Sequence, residues 1–205
     1  MDEIEALRRE VEALRIEARR AADYVAICNL QAAYGYYVDK GLWDEAADLL
    51  CADGTLEIAG RGLYRGRDRV RAYLHRLPKL EHGTVFNHMQ LQPVISIADN
   101  GESAAGRWRT IMEVGLADRM VSLRGEGTYE NLYRREQGVW KIARLHAFIT
   151  YYVEAGKGWN EGAVPMAGEL PDFPPDEPQT VDYGSFPEVF VPPFHYPNPV
   201  TGKRR

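Results

Sequence analysis

From residue 84 to residue 153 the chain adopts a period-two alternation of apolar and polar side chains, and this stretch limits the fold more than any other. Four long strands are predicted there, over 84–97, 103–116, 123–136 and 139–153. Asp99-Asn100-Gly101 and Gln137-Gly138 are turn sequences, so these strands pair as hairpins. Pro93 has no N–H to give to a ladder and marks a bulge or an edge position. The preceding chain reads as helix. Residues 2–32 form one long helix, and Ile27, Leu30, Tyr34 and Tyr37 continue a core face up to Asp39-Lys40-Gly41. A second short helix is predicted over 43–50, a turn at Asp53-Gly54, a short strand over 55–59, and a third helix over 66–77. Helices followed by a run of hairpin-linked strands give an α+β fold, with the helices on one face of a curved sheet.

A length of 205 residues suits one domain with appendages. Three zones follow: an N-terminal helical extension over 1–23, a folded body over 24–153, and an arm over 154–205. Ile4, Leu7, Val11, Leu14, Ala18, Ala21, Val25 and Cys28 recur by threes and fours, which is a heptad seam. A compact core needs no such lead-in, so residues 1–20 are expected to contact another subunit. The alternative is an amphipathic helix lying on its own domain. Ten of the 12 prolines fall in the arm, which excludes helix and central strand there. The same arm carries Trp159, Phe173, Tyr183, Phe186, Phe190, Phe194 and Tyr196. A polar tail would not hold seven large rings, so an extended segment wrapped over its own domain or a neighbour is expected.

Composition narrows the partners. The hydrophobic fraction of 45% is that of a globular protein, and the net charge of −5 argues against nucleic acid or anionic lipid. No apolar run has membrane length, and charge begins at Asp2, so a cytoplasmic protein is expected. Cys28 and Cys51 sit in apolar surroundings and read as buried thiols, with neither a disulfide framework nor a zinc site. The sequence has no phosphate loop, no glycine-rich dinucleotide fingerprint, no serine nucleophile elbow and no histidine pair at zinc spacing. Any chemistry is therefore assigned to side chains alone, with no cofactor and no metal.

Asp39 lies in the last turn of an apolar helix, where the macrodipole disfavours a carboxylate. It follows Tyr36, Tyr37 and Val38, and dry surroundings raise a carboxylate pKa. In Asn87-His88-Met89-Gln90-Leu91, the apolar Met89, Leu91, Ile95 and Ile97 share one parity. His88, Gln90 and Gln92 share the other, which lets His88 face a polar cavity. A lone strand histidine is otherwise structural, and His146 has the weaker claim of the two. Tyr34 is on the core face and needs a hydrogen-bond partner. Arg107, Arg109 and Glu113 alternate along one strand opposite Trp108, Thr110 and Met112. Two arginines on one sheet face call for water, an acid or an anionic ligand. Tyr129 and Asn131 repeat the polar–aromatic pattern on the next strand. A sheet face of Tyr, Asn, Arg and His beneath helices describes a pocket for a phenolic or polycyclic ligand.

Several ordered motifs then carry a resemblance. They are Asp39-x-Gly41-x-Trp43-Asp44, Leu50-x-Ala52-Asp53-Gly54, Tyr64-x-Gly66, Asn87-His88, Gly106-Arg107-Trp108, Glu126-Gly127-x-Tyr129 and Gly138-Val139-Trp140-Lys141-Ile142. Together they resemble the SnoaL-like branch of the NTF2-like superfamily over roughly residues 24–150. The resemblance implies a conical α+β barrel of three helices cupped by a curved mixed sheet. It also implies a trimer, because scytalone dehydratase and bile acid 7α-dehydratase are trimeric, cofactor-free lyases. Tyr34, Asp39 and His88 fall at positions similar to the catalytic triad of the bile acid enzyme, and Glu113 lies on a strand that carries a further polar group. Dehydrochlorinases of the branch use a similar Asp–His pair. Longer relatives release formaldehyde from lignin-derived diarylpropanes, and the N-terminal helix and C-terminal arm depart from the short members. The expected function is a cofactor-independent lyase for a hydrophobic aromatic or polycyclic alcohol. In that reading Tyr34, Asp39 and His88 are catalytic, and Arg107, Arg109, Glu113, Tyr129, Asn131 and His146 bind substrate. An isomerase in the same pocket and a non-catalytic small-molecule binder are the alternatives.

Overall fold

The computed structural model describes residues 3–116 and 120–204. Its elements are α1 (Glu3–Asp39), α2 (Trp43–Asp48), β1 (Leu50–Ile58), β2 (Leu63–Arg65), α3 (Arg67–Leu74), β3 (Thr84–Ile97), β4 (Ser103–Leu116), β5 (Val121–Glu136), β6 (Val139–Glu154), α4 (Trp159–Gly162) and β7 (Ala163–Val164). The sheet runs β2-β1-β6-β5-β4-β3, with β7 added to β6. It is curved and unclosed, so the expected barrel is open along one side. β1 pairs with β6 in parallel and every other pairing is antiparallel, which makes the sheet mixed. No described helix is long and apolar enough to cross a membrane.

The four predicted strands form at nearly the predicted limits. Pro93 sits as its missing donor requires, since β3 is an edge strand with a bulge between Leu91 and Val94. That bulge, with Gln92 at a φ of 49°, reverses the facing of the strand. Phe86, His88 and Gln90 face inward before it, while Ile95 and Ile97 pack on the core after it. The single parity expected for Met89, Leu91, Ile95 and Ile97 therefore fails, and Met89 is exposed. Asp53-Gly54 also differs from expectation. It is an irregularity inside β1, where pairing with β6 shifts between Leu50 and Thr55, rather than a turn before a strand.

α1 is one continuous helix of 37 residues. Residues 3–22 are exposed throughout, and the helix joins the domain at Asp23. There the buried carboxylate accepts hydrogen bonds from Arg135 Nη2 at 2.6 Å and Trp140 Nε1 at 3.0 Å. Farther on, Ile27, Gln31, Tyr34, Gly35 and Val38 are buried against the sheet. Gly35 allows the closest approach. A Cβ there would lie 2.8 Å from Gln90 Cγ and 3.1 Å from the His88 carbonyl oxygen. Cys51 is buried as expected, but Cys28 is only half-buried on the flank of α1.

The arm lies on its own domain. Phe173 stacks on Tyr64 at 5.8 Å, and Tyr183 and Phe190 close over Phe148 on the outer face of β6 at 5.5 and 5.6 Å. Tyr183 Oη accepts the Ile149 N–H at 2.8 Å. Trp159 stays largely exposed. Gly35→Val should destabilise the domain by about 1–3 kcal/mol, because the added atoms meet β3 directly. Urea unfolding monitored by circular dichroism checks this, and an unchanged midpoint would show that α1 does not press on β3.

Candidate active site

A cavity of about 320 Å³ opens between α1, α3 and the inner face of the sheet. Tyr34 and Val38 of α1, Tyr73 and Leu74 of α3, and Phe86 and His88 of β3 line it. Met112, Tyr129, Ala147, Ile149 and Tyr152 supply the sheet floor, and Val164, Pro165 and Ala167 of the arm close one side. The arm thus completes the cavity of its own chain. A volume of this size is at the lower end of the range for small-molecule sites.

Cross-strand register decides which side chains reach the cavity, because directly opposed residues share a face. His88 opposes Met112, Trp108 opposes Tyr129, and Tyr129 opposes Ala147. All of these face inward. Of the nine residues singled out from sequence, Tyr34, His88 and Tyr129 line the cavity. Arg107 opposes Glu130 on the outer face. Its guanidinium donates to Glu130 Oε1 at 2.6 Å and lies 3.9 Å above the Phe194 ring of the arm. Arg109 pairs with Glu126 at 2.9 Å and Gln92 at 3.0 Å, also outside. Glu113 is exposed and opposes Asn87. The sequence placed the arginines of β4 on the same face as Tyr129 and Asn131. The observed register puts them on opposite faces.

His146 and Asn131 are buried but committed elsewhere. The His146 ring stacks on Phe148 at 4.0 Å beneath the arm, with Nε2 3.5 Å from Glu57. Burial lowers its pKa to about 4. Glu57 in turn accepts the Thr180 N–H at 2.6 Å and the Thr180 hydroxyl at 2.7 Å. Asn131 does face α1, but its amide donates to Gln31 Oε1 at 3.0 Å and its oxygen accepts the His146 main-chain N–H at 3.0 Å. It belongs to a polar network beside the cavity, in which Tyr133 donates to Gln31 at 2.7 Å and Gln31 donates to Gln90 at 2.9 Å.

Asp39 meets His88 through the backbone. Its Oδ1 accepts the His88 main-chain N–H at 2.5 Å, tying the end of α1 to β3. This bond answers the unfavourable position of a carboxylate in the last helical turn. Burial raises the Asp39 pKa, opposed by that N–H and by Lys40. The sequence suggested a carboxylate holding the imidazole; here it holds the strand that carries the imidazole. His88 is half-buried, and its Nδ1 is shielded from solvent with no hydrogen-bond partner among the described residues. Loss of solvation, only partly opposed by the Phe86 main chain, lowers the His88 pKa to about 4, so the ring is neutral at pH 7. Tyr34 stands edge-on to Tyr129, with ring centroids 6.4 Å apart. Burial, with the neighbouring phenols Tyr129 and Tyr73, holds the Tyr34 hydroxyl well above its usual pKa. Both phenols remain protonated donors at neutral pH.

Sequence reasoning missed Tyr73, Tyr152 and Arg61, which also line the cavity. The spacing of Tyr73 on α3 is legible as a core position, but Arg61 lies in a glycine-rich turn with no periodicity to orient it. Away from the cavity, Cys51, Asp53 and Glu136 could together offer three ligand atoms to a metal. Arg134 pairs with both carboxylates, and burial pushes the Cys51 thiol up to about 11. That cluster is a satisfied ion-pair group with a protonated thiol.

The SnoaL-like domain family matches residues 19–146, and the chain belongs to that family. The chain matches no curated protein. Among solved structures, it is similar to a scytalone dehydratase-like protein of Novosphingobium aromaticivorans, with 18% identity, a TM-score of 0.61, and coverage of 76% of this chain and 97% of the other. It is similar also to the hexachlorocyclohexane dehydrochlorinase LinA-type3 of Novosphingobium barchaimii, at 21% identity and TM-score 0.61, covering 69% and 96%. An NTF2-like protein with a cystatin-like fold from N. aromaticivorans gives 19% identity and TM-score 0.52, covering 77% and 94%. These likenesses establish the NTF2-like fold.

His88 and His146, whose pKa values loss of solvation lowers, make stability depend on pH. A histidine whose folded pKa is depressed contributes stability that is present above about pH 6.5 and is lost as pH falls toward 4. At pH 5 the cost of neutral His88 amounts to roughly 1–2 kcal/mol relative to pH 7. Thermal melts should therefore show a smaller drop in Tm between pH 7 and pH 5 for His88→Gln than for the unmodified chain. An equal drop would mean that the His88 ring is solvated.

Proposed function

We propose that the chain is a cofactor-independent lyase for a hydrophobic aromatic or polycyclic alcohol, with His88 as its acid–base group. The observation that carries the reading is the neutral His88 ring on the cavity wall, with Nδ1 shielded from solvent and unpartnered among the described residues. A buried polar atom left without a partner costs free energy, and a bound substrate is a means of satisfying it. His88 takes a proton from the carbon next to the carbinol and passes it to the departing oxygen, so that a C–H and a C–O bond break, a C=C bond forms and water leaves. Tyr34, kept protonated by burial, donates a hydrogen bond to that oxygen as charge gathers on it. Tyr129 faces the same space and orients an aromatic ring edge-on. Asp39 is a positioning residue that fixes the His88 backbone. The dehydratase-like and dehydrochlorinase neighbours are named for eliminations, which agrees with this chemistry. Loss of formaldehyde would start with the same base acting on a hydroxyl proton.

Incubation with a panel of aromatic and steroidal alcohols, read by mass spectrometry, tests the reading. The expected product is lighter than its substrate by one water or one formaldehyde. His88→Ala should lower turnover by about 100-fold or more. A product of unchanged mass would make the protein an isomerase, and full activity in His88→Ala would remove the imidazole from the chemistry.

A further inference from the structure

The cavity wall carries one full charge among the described residues, and it is cationic. Arg61 lines the same space as His88, Tyr34 and Tyr129, and no described Asp or Glu lines it. Its side chain has neither a hydrogen bond nor an ion pair among the described residues. Its neighbours differ: Arg65 binds Glu177 at 2.5 Å and Arg69 binds Asp176 at 3.1 Å. The Arg61 charge reaches the cavity phenols Tyr73 and Tyr152, whose pKa values it opposes from rising.

The turn that presents Arg61 is held on several sides. Ala59 is left-handed, with a φ of 51°, a conformation that costs a non-glycine residue about 1 kcal/mol or more. Its N–H donates to the Ala147 carbonyl at 3.1 Å, and the Arg61 N–H donates to Ile58 at 3.1 Å. Gly60 bridges Gly168 of the arm. Gly62, at a φ of 80°, packs so tightly that a Cβ would lie 2.5 Å from Pro175 Cγ. A surface arginine needs no such framing. The arm builds this turn from outside while closing the cavity through Val164, Pro165 and Ala167.

We infer that Arg61 is the anchor for a carboxylate on an aromatic ligand, so that the cavity takes aromatic acids in preference to their neutral counterparts. This deepens the lyase reading by naming a feature of the substrate, and it rests on that reading. A phenol stays neutral at pH 7, whereas a carboxylate is ionised and matches the planar guanidinium fork. β1 and β2, which flank Arg61, are at the opposite edge of the sheet from β3, which carries His88. A ligand that engages both side chains bridges the cavity, with the acid held by the β1–β2 turn and the reacting carbon offered to the imidazole.

Calorimetric titration of the full chain at pH 7 with 2-naphthoate, 2-naphthamide and 2-naphthol tests the assignment without requiring turnover. Naphthoate should bind at least about tenfold more tightly than the amide or the naphthol. Arg61→Met should abolish that preference and leave the affinity for naphthamide unchanged, while Arg61→Lys should keep part of it. Naphthoate binding no tighter than naphthamide in the unmodified chain, including no binding of either, overturns the inference. So does a preference that survives in Arg61→Met. If Arg61→Met fails to fold, the comparison of ligands in the unmodified chain and in Arg61→Lys decides. His88→Ala should retain the preference. A naphthoate preference in the unmodified chain, with no lyase turnover of any alcohol by that same chain, would sink the proposed reaction and leave the anchor standing.

Discussion

The close seating of α1 on β3 governs the rest of the structure. Gly35 removes the side chain that would otherwise hold the two apart, and the Asp39 carboxylate closes the gap by accepting the His88 N–H. The same strand segment places the His88 ring on the cavity wall. A glycine in a helix interior costs about 0.5–1 kcal/mol relative to alanine. Here that cost is offset by a contact that no larger residue permits.

Around the cavity the two faces of the sheet differ in character. The inner face carries phenols, one imidazole and aliphatic groups around the cavity. The outer face carries ion pairs and a second layer of rings: Arg107 with Glu130 and Phe194, His146 with Glu57 and Phe148, and Tyr183 over Phe148. The arm covers this outer layer and then contributes three residues to the cavity mouth. An appendage without a hydrophobic core of its own thereby becomes part of the site.

Much of this was legible in the sequence, for physical reasons that can be named. The period-two stretch fixed four strands, because a half-buried strand must alternate and a hairpin turn must carry residues suited to it. Tyr34 was legible from the helical core face it shares with Ile27 and Leu30, and His88 from lying on the parity opposite Met89 and Leu91, whereas Tyr129 was read only as part of a polar–aromatic pattern. The errors concern relations between strands. Which face of β4 joins which face of β5 depends on register, and a slip of one residue exchanges the faces. Arg107, Arg109 and Glu113 were assigned to the ligand on alternation alone, and the register sends them outward. The bulge at Gln92 likewise reversed parity midway along β3. The Asp39–His88 contact was anticipated between the right residues but on the wrong atoms, since sequence carries no information on whether a carboxylate meets a ring or a backbone. Arg61 gave no signal because a turn has no period.

The central claim is that a neutral imidazole on the cavity wall, its Nδ1 shielded from solvent, is the group that meets the substrate. Nitrogen-15 NMR of histidine-labelled protein measures this most directly. The account predicts that the His88 ring nitrogens hold neutral-imidazole shifts down to about pH 5, consistent with a pKa of about 4, and move when an aromatic alcohol enters the cavity. Titration of that ring near its ordinary value of about 6.5, with no response to ligand, would contradict it.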